Sequence, residues 1–255
     1  MTCLVLLEQI DRVGVLTLNR PERHNSLTPA LLTELLEGLE KIRNRPDVSA
    51  VVLQANGKSF STGGDVRAFY DHREDLESFA NQIVSLLNQA ILAMCELPVP
   101  LVTAVHGIVT GGSLGLVLAS DIILLAPEAS FTPYYSIVGF SPDGGWTAIL
   151  PTVVGSKRAG EIILLNQTIP AKQAVDWGLA SRIVSRDEIR LEALQTAKQL
   201  SGMCMHSMRH TKQLLGLTHG DLAVRLESER SHFVEQVQTE EARQGMARFL
   251  GIEDS

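Results

Sequence analysis

The chain has 255 residues, 45% of them apolar and 20% charged, with a formal net charge of −7 at pH 7. That length suits one large domain or a domain with a small appendage, and the composition is that of an ordinary globular protein. The acidic balance, with no basic stripe against it, argues against a nucleic-acid partner, and no uninterrupted apolar run is long enough to cross a bilayer, so no membrane partner is expected.

Residues 4–10 and 13–18 are apolar-rich runs around Asp11-Arg12 and read as a hairpin. The N-terminus lacks a basic leader, and Glu8 and Asp11 interrupt it early, so it does not read as a signal peptide. A polar loop over 19–26 leads to Thr28-Pro29, which predicts a helix start: threonine caps free N–H groups and proline is tolerated in the first turn. Leu31, Leu32, Leu35, Leu36, Leu39 and Ile42 give that helix one apolar face, read as core. Residues 50–53 form a short buried strand, followed by the turn Asn56-Gly57-Lys58 and the segment Phe60-Ser61-Thr62-Gly63-Gly64-Asp65. A helix is expected from Gly64 or Asp65, with Asp65 placed to cap it. Phe79, Ile83, Leu86, Leu87, Ala90, Ile91 and Met94 repeat at helical spacing, and Pro98 and Pro100 close that helix.

Residues 101–105 are a strand running into a second glycine segment, Gly111-Gly112-Ser113, then a buried helix over 114–119 and a strand over 122–126. From Gly144 onward the character changes. Segments 144–154, 156–165, 171–177, 187–201, 205–218 and 221–250 read as helices, and only 180–184 as a further strand. The expectation is an α/β core over 1–195 and a helical region over 196–255 that caps the site or mediates assembly. Cys3, Cys95 and Cys204 include no C-x-x-C pair, so a disulfide framework is not indicated and a reducing, cytoplasmic setting is expected.

A glycine turn after a strand leaves backbone N–H groups unscreened and free to face an anion. Two such turns aimed at one point can hold a thioester oxygen as it becomes negative. Either turn alone is more often packing than a site.

The motifs around the two turns resemble those of the crotonase, or enoyl-CoA hydratase/isomerase, superfamily over nearly the whole chain. Residues 19–27 (Asn19-Arg20-Pro21 through Asn25-Ser26-Leu27) look like its N-R-P-x-x-x-N-A-L loop, and 60–66 like its F-(S/A)-(A/T)-G-(A/G)-D-(L/V). Residues 105–113 look like V-N-G-x-x-x-G-G-G, with His106 and Ser113 as departures; 171–184 and 239–250 resemble two later family motifs. The resemblance implies a spiral of ββα turns with C-terminal helices that assemble trimers, often paired into hexamers, and a coenzyme A thioester substrate. It implies that the N–H groups of Gly64 and Gly112 form an oxyanion hole. It places Arg23, His24, Ser26, Thr62, Gly63, Asp65 and Val66 along the coenzyme A arm, with Gly111, Tyr135 and Phe140 at the substrate. No metal, nicotinamide or flavin motif is evident, and coenzyme A enters as part of the substrate rather than as a cofactor.

Hydratases of the family activate water with two glutamates. The corresponding positions here, three residues after Gly112 and fourteen after Asp121, are Gly115 and Tyr135. Asp143, in Pro142-Asp143-Gly144-Gly145-Trp146, matches the segment that carries the acid of some Δ3,Δ2-enoyl-CoA isomerases and ring-epoxide isomerases. One base with an oxyanion hole is the inventory of an enoyl-CoA isomerase. The alternatives are a hydratase-labelled homologue with weak or no hydratase activity, an aromatic dehalogenase, and a non-catalytic acyl-CoA-binding assembly protein. For Asp143 itself, an N-cap on a helix over 146–154 stands beside the catalytic role. The acidic chain end, Glu253-Asp254-Ser255, departs from relatives that run on with basic residues.

Overall fold

The computed structural model describes residues 3–215 and 219–252. The last three residues of the helix expected over 205–218, and the acidic chain end, lie outside them.

The first turn is a hairpin of β1 (Val5–Ile10) and β2 (Val13–Leu18), followed by α1 (Pro29–Arg43), β3 (Ala50–Ala55), α2 (Val66–Asp71) and α3 (Leu76–Cys95). Next come β4 (Leu101–Val105), β5 (Ile108–Thr110), α4 (Ser113–Leu118), β6 (Ile122–Leu125), β7 (Ser130–Thr132) and α5 (Tyr135–Val138). The chain continues through α6 (Leu150–Val154), α7 (Ser156–Leu164), β8 (Ile169–Pro170), α8 (Ala171–Asp176) and β9 (Arg182–Ile183). It closes with α9 (Ile189–Ser201), α10 (Met205–Leu215), α11 (His219–Val237) and α12 (Glu240–Leu250).

Six strands form the main sheet in the order β1-β2-β3-β4-β6-β9, antiparallel only at the opening hairpin. Strands buried on both faces read as continuous apolar runs, and these do. Val13, Val15, Ala50, Val52, Val102 and Ala104 face Ile189, Ala193 and Ala197 of α9. Leu16, Leu18, Val51, Leu53, Leu101 and Val105 join the larger core with α1 and α3. Thr28 caps α1 as expected, its hydroxyl accepting from Leu31 N–H at 3.2 Å. α3 is long and apolar enough by composition to span a bilayer, but Phe79, Ile83, Val84, Leu87, Ile91 and Met94 are buried in this core, so it serves as a core helix.

A smaller sheet, β5-β7-β8, forms a second layer. β4-β5-α4 and β6-β7-α5 each place one strand in each sheet and then a helix, the expected ββα repeat. Single bridges extend the small layer: Ser61 pairs with Val109 and Leu27 with Gly64. None of the three small strands was expected as such, because two or three residues are too few to show a period.

Three expected elements differ. The helix over 144–154 is confined to α6, because Gly144 and Gly145 sit at φ 57° and 88°, outside the right-handed helical region. The helix over 221–250 is two helices: Thr239 breaks it and caps α12, accepting from Ala242 N–H at 3.2 Å. The strand over 180–184 shortens to β9. The position 195/196, where the core was expected to end, falls inside α9, whose Ala193 and Ala197 both pack on the main sheet.

Candidate active site

The two glycine segments lie side by side in the small layer. Ser61 N–H donates to Ile108 O and Thr110 N–H donates to Ser61 O, each at 3.2 Å. Gly63, at φ 72°, backs onto the second segment: a methyl there would come within 2.5 Å of the Thr110 carbonyl oxygen, so only glycine fits. Gly64 and Gly112 both line a cavity of about 420 Å³. Among the described residues, neither of their N–H groups has a hydrogen-bond acceptor in the chain.

The loop over 20–27 locks onto the first segment. Leu27 N–H donates to Gly63 O at 2.7 Å, and Thr62 N–H donates to His24 O at 3.2 Å. Asp65 does not cap α2. Its carboxylate faces the Arg20 and Arg23 guanidiniums, each at 3.3 Å, with Ser26 Oγ at 3.4 Å. Two guanidiniums are stronger partners for a carboxylate than one peptide N–H. Burial opposes the charged form of Asp65, but Arg23 and Arg20 outweigh it and hold the carboxyl below its ordinary value. Arg20, which stands in the resembling motif, is thus a structural partner of Asp65.

Arg23, His24, Ser26, Thr62, Asp65 and Val66 line the cavity at this end, and Gly111, Tyr135, Phe140 and Asp143 elsewhere along it. Gly63 packs behind the wall instead. Phe69, Phe140 and Phe233 form an aromatic cluster within the lining, with ring centroids 5.2–5.7 Å apart.

Asp143 is 6% exposed. It is not an N-cap: the next helix starts at Leu150, and the carboxylate is held instead by the Tyr135 hydroxyl, which donates to Oδ1 at 2.6 Å. A methyl on Gly112 would come within 2.9 Å of Oδ1, so the carboxylate stands directly beside the second glycine turn. The surrounding loop fixes it there. Gly144 packs against Gly112 so closely that a methyl on it would meet Gly112 Cα at 2.4 Å, and Trp146 Nε1 donates to Gly111 O at 2.7 Å.

Burial pushes the Asp143 pKa up to about 7; the Tyr135 hydrogen bond acts against that rise, and the nearby Glu229 carboxylate adds to it. Burial likewise pushes the Tyr135 phenol well above its ordinary value, so it is a neutral donor. Glu229 on α11, not anticipated from the sequence, is 4% exposed and bonds the loop after Asp143. Its signal was there: Leu222, Leu226, Phe233 and Val237 form a helical apolar stripe, and position 229 falls on it.

The two positions where hydratases of the resembling family carry glutamates offer no carboxylate. Position 115 has no room for one: a methyl there would meet Ile91 Cδ1 at 2.4 Å and Gly144 O at 2.5 Å. Position 135 holds the neutral phenol.

Known proteins resemble this chain over most of its length. The family model described as enoyl-CoA hydratase/isomerase matches residues 8–254. The chain is 28% identical over 248 residues to a 1,2-epoxyphenylacetyl-CoA isomerase from Escherichia coli, covering 96% of this chain and 95% of that one. It is 29% identical over 203 residues to a 4-chlorobenzoyl coenzyme A dehalogenase from Arthrobacter, covering 79% and 74%. The crystal structure of an enoyl-CoA hydratase from Bacillus halodurans superposes with a TM-score of 0.90 at 24% identity, covering 96% and 99%, a likeness of fold. One scaffold thus carries three reaction names, and the residues around the glycine turns must decide between them.

Proposed function

The chain belongs to the enoyl-CoA hydratase/isomerase family, and from that premise we propose that it is an enoyl-CoA isomerase. The supporting observation is a buried carboxylate, Asp143, beside Gly112 and held by Tyr135 at 2.6 Å, while positions 115 and 135 lack the hydratase acids. In this reading ionised Asp143 takes a proton from C2 of a 3-enoyl thioester. The electron pair moves onto the thioester oxygen, where the N–H groups of Gly64 and Gly112 stabilise the dienolate. Protonated Asp143 returns the proton to C4, and the double bond ends between C2 and C3. A carboxylate whose pKa is raised to about 7 is a stronger base than an ordinary one and still ionises near neutrality.

Coenzyme A would lie along Arg23–Ser26 and Thr62–Val66, entering as part of the substrate with no separate cofactor. The same reading carries a homotrimer or hexamer formed by the C-terminal helices, where Leu214, Leu215 and Val224 are largely exposed on the single chain. The free thiols of Cys3, Cys95 and Cys204 accord with a cytoplasmic setting.

The test compares the purified protein on a 3-enoyl-CoA and a 2-enoyl-CoA, with Asp143→Asn as control. Isomerisation is expected, and Asp143→Asn should lower kcat by about 10²–10⁴-fold, the usual worth of a general acid–base group. Full isomerase activity in Asp143→Asn would sink the role given to that residue. Rapid hydration of 2-enoyl-CoA without isomerisation would replace the reaction, and binding without turnover of any acyl chain would leave a binding protein.

A further inference from the structure

Glu229 reaches the site from a helix distant in sequence and hydrogen-bonds the loop behind the cavity rather than the groups that line it. Its carboxylate accepts four hydrogen bonds, all from residues 145–148. Oε2 accepts from Gly145 N–H at 2.8 Å. Oε1 accepts from Thr147 N–H at 2.7 Å, Thr147 Oγ1 at 2.6 Å and Ala148 N–H at 2.7 Å. All four partners donate and none accepts, an arrangement the charged carboxylate satisfies. The loop it grips follows Asp143 immediately and lies outside any helix before Leu150, with turn bonds from Trp146 N–H to Asp143 O and Ile149 N–H to Gly145 O. Gly144 is wedged against the Gly112 backbone on the other side.

We infer that Glu229 is a positioning residue: its carboxylate clamps the 145–148 loop onto α11 and so holds the Asp143 carboxylate against Gly112 in register for proton transfer. The inference rests on the reading of Asp143 as the acid–base group of the site. It assigns a role to α11 in the chemistry as well as in packing. A second consequence follows from charge. Two carboxylates enclosed near each other disfavour joint ionisation, so Glu229 also sets where Asp143 titrates. The titratable groups facing Asp143 are Tyr135 from α5 and Glu229 from α11. Those around Glu229 are Asp143 and Tyr135, and Arg225 and His232, which line a small hollow with it.

The test is Glu229→Gln, which keeps the shape but presents an NH₂ group to backbone donors and removes the charge. Two readouts are taken. Kinetics are measured on whichever acyl-CoA turnover Asp143→Asn abolishes, so a wrong reaction does not void the result. Separately, the infrared carboxyl band of isotope-labelled aspartate, assigned by its loss in Asp143→Asn, gives the Asp143 midpoint with no turnover at all. The expected result is a kcat lower by on the order of 10²-fold with KM little changed, as for a misplaced reacting group. The Asp143 midpoint, near 7 in the wild type, should move down. A glutamate that only braced the fold would lower stability and leave kcat of the folded protein in place, while the midpoint reports its charge. Unchanged kcat, or an unmoved midpoint in a folded Glu229→Gln protein, overturns the inference. If Glu229→Gln does not fold, Thr147→Val removes one of the four bonds and keeps the charge. A lowered kcat with KM held then supports the clamp, and wild-type kcat overturns it.

Discussion

Asp143 is placed between a tyrosine that favours its charged form and a low-dielectric enclosure, with a second carboxylate nearby, that disfavours it. Burial is the largest influence, and the net direction is upward, to about 7. With ionised Asp143 as the base, as proposed, turnover limited by its proton transfer should rise with pH through about 7 and level off above it. Tyr135→Phe removes the donor that stabilises the anion, so the acid limb should move to higher pH, opposite to the shift expected for Glu229→Gln. Full pH–rate profiles of both variants check the opposed signs; shifts in the same direction would refute this account of Asp143. Stability carries the same information. The native carboxyl holds its proton up to about 7 and the unfolded one only to about 3.8, so this group's contribution is intact below pH 3.8 and is lost as pH rises through 7. Asp143→Asn should therefore melt higher than the wild type at pH 8, with the gap closing on approach to pH 4. Differential scanning calorimetry across that range would show it, each pKa unit being worth about 1.4 kcal/mol. At this scale much of the site could be read in advance: the paired glycines, the loop residues and Asp143 stand in short motifs with distinctive chemistry. Arg20 and Glu229 could not, since their partners lie far along the chain, 45 residues away for Asp65 and 84 for Gly145.

The secondary-structure elements meet at the glycine turns through backbone contact. The 143–149 segment has no regular structure of its own, and its conformation follows from what it touches: Gly112 beneath, Trp146 bonded to Gly111 O, Glu229 above. Gly144→Ala brings a methyl into the Gly112 backbone at a left-handed φ of 57°, so the two turns cannot keep their spacing. Such a clash in a packed interior costs about 1–3 kcal/mol or more. The variant should melt several degrees lower and lose activity beyond what the lost stability explains, as measured by kcat on the fraction still folded. Long elements such as α1, α3 and α9 were visible from periodicity because each presents a whole apolar face. The small β5-β7-β8 layer was not, because its strands are shorter than the period that would reveal them. Gly144 and Gly145 depart from the expected helix start for a related reason: local propensity favours a capped start there, while tertiary contact imposes positive φ.

Across the molecule, the two faces of the main sheet have different duties. One is sealed by α9 and carries only packing; the other leads through the larger core to the cavity. The aromatic cluster of Phe69, Phe140 and Phe233 stands where that cavity meets the C-terminal helices. Phe140, the least enclosed of the three, is the place to widen it. Phe140→Ala should raise kcat/KM for longer or bulkier acyl groups relative to short ones by about tenfold, the discrimination a few methylenes command in an apolar pocket. A panel of acyl chain lengths measures this, and an unchanged preference order would move the acyl group elsewhere. A second member of the cluster, Phe233, lies one helical turn beyond Glu229 on α11, so both project from the same side of that helix. A single helical rod therefore carries both an aromatic wall of the cavity and the carboxylate that grips the loop after Asp143. Any slide or tilt of that rod acts as a lever with two ends. Variants that shift it as a body, without touching either residue, should show acyl-length preference and pH optimum drifting together.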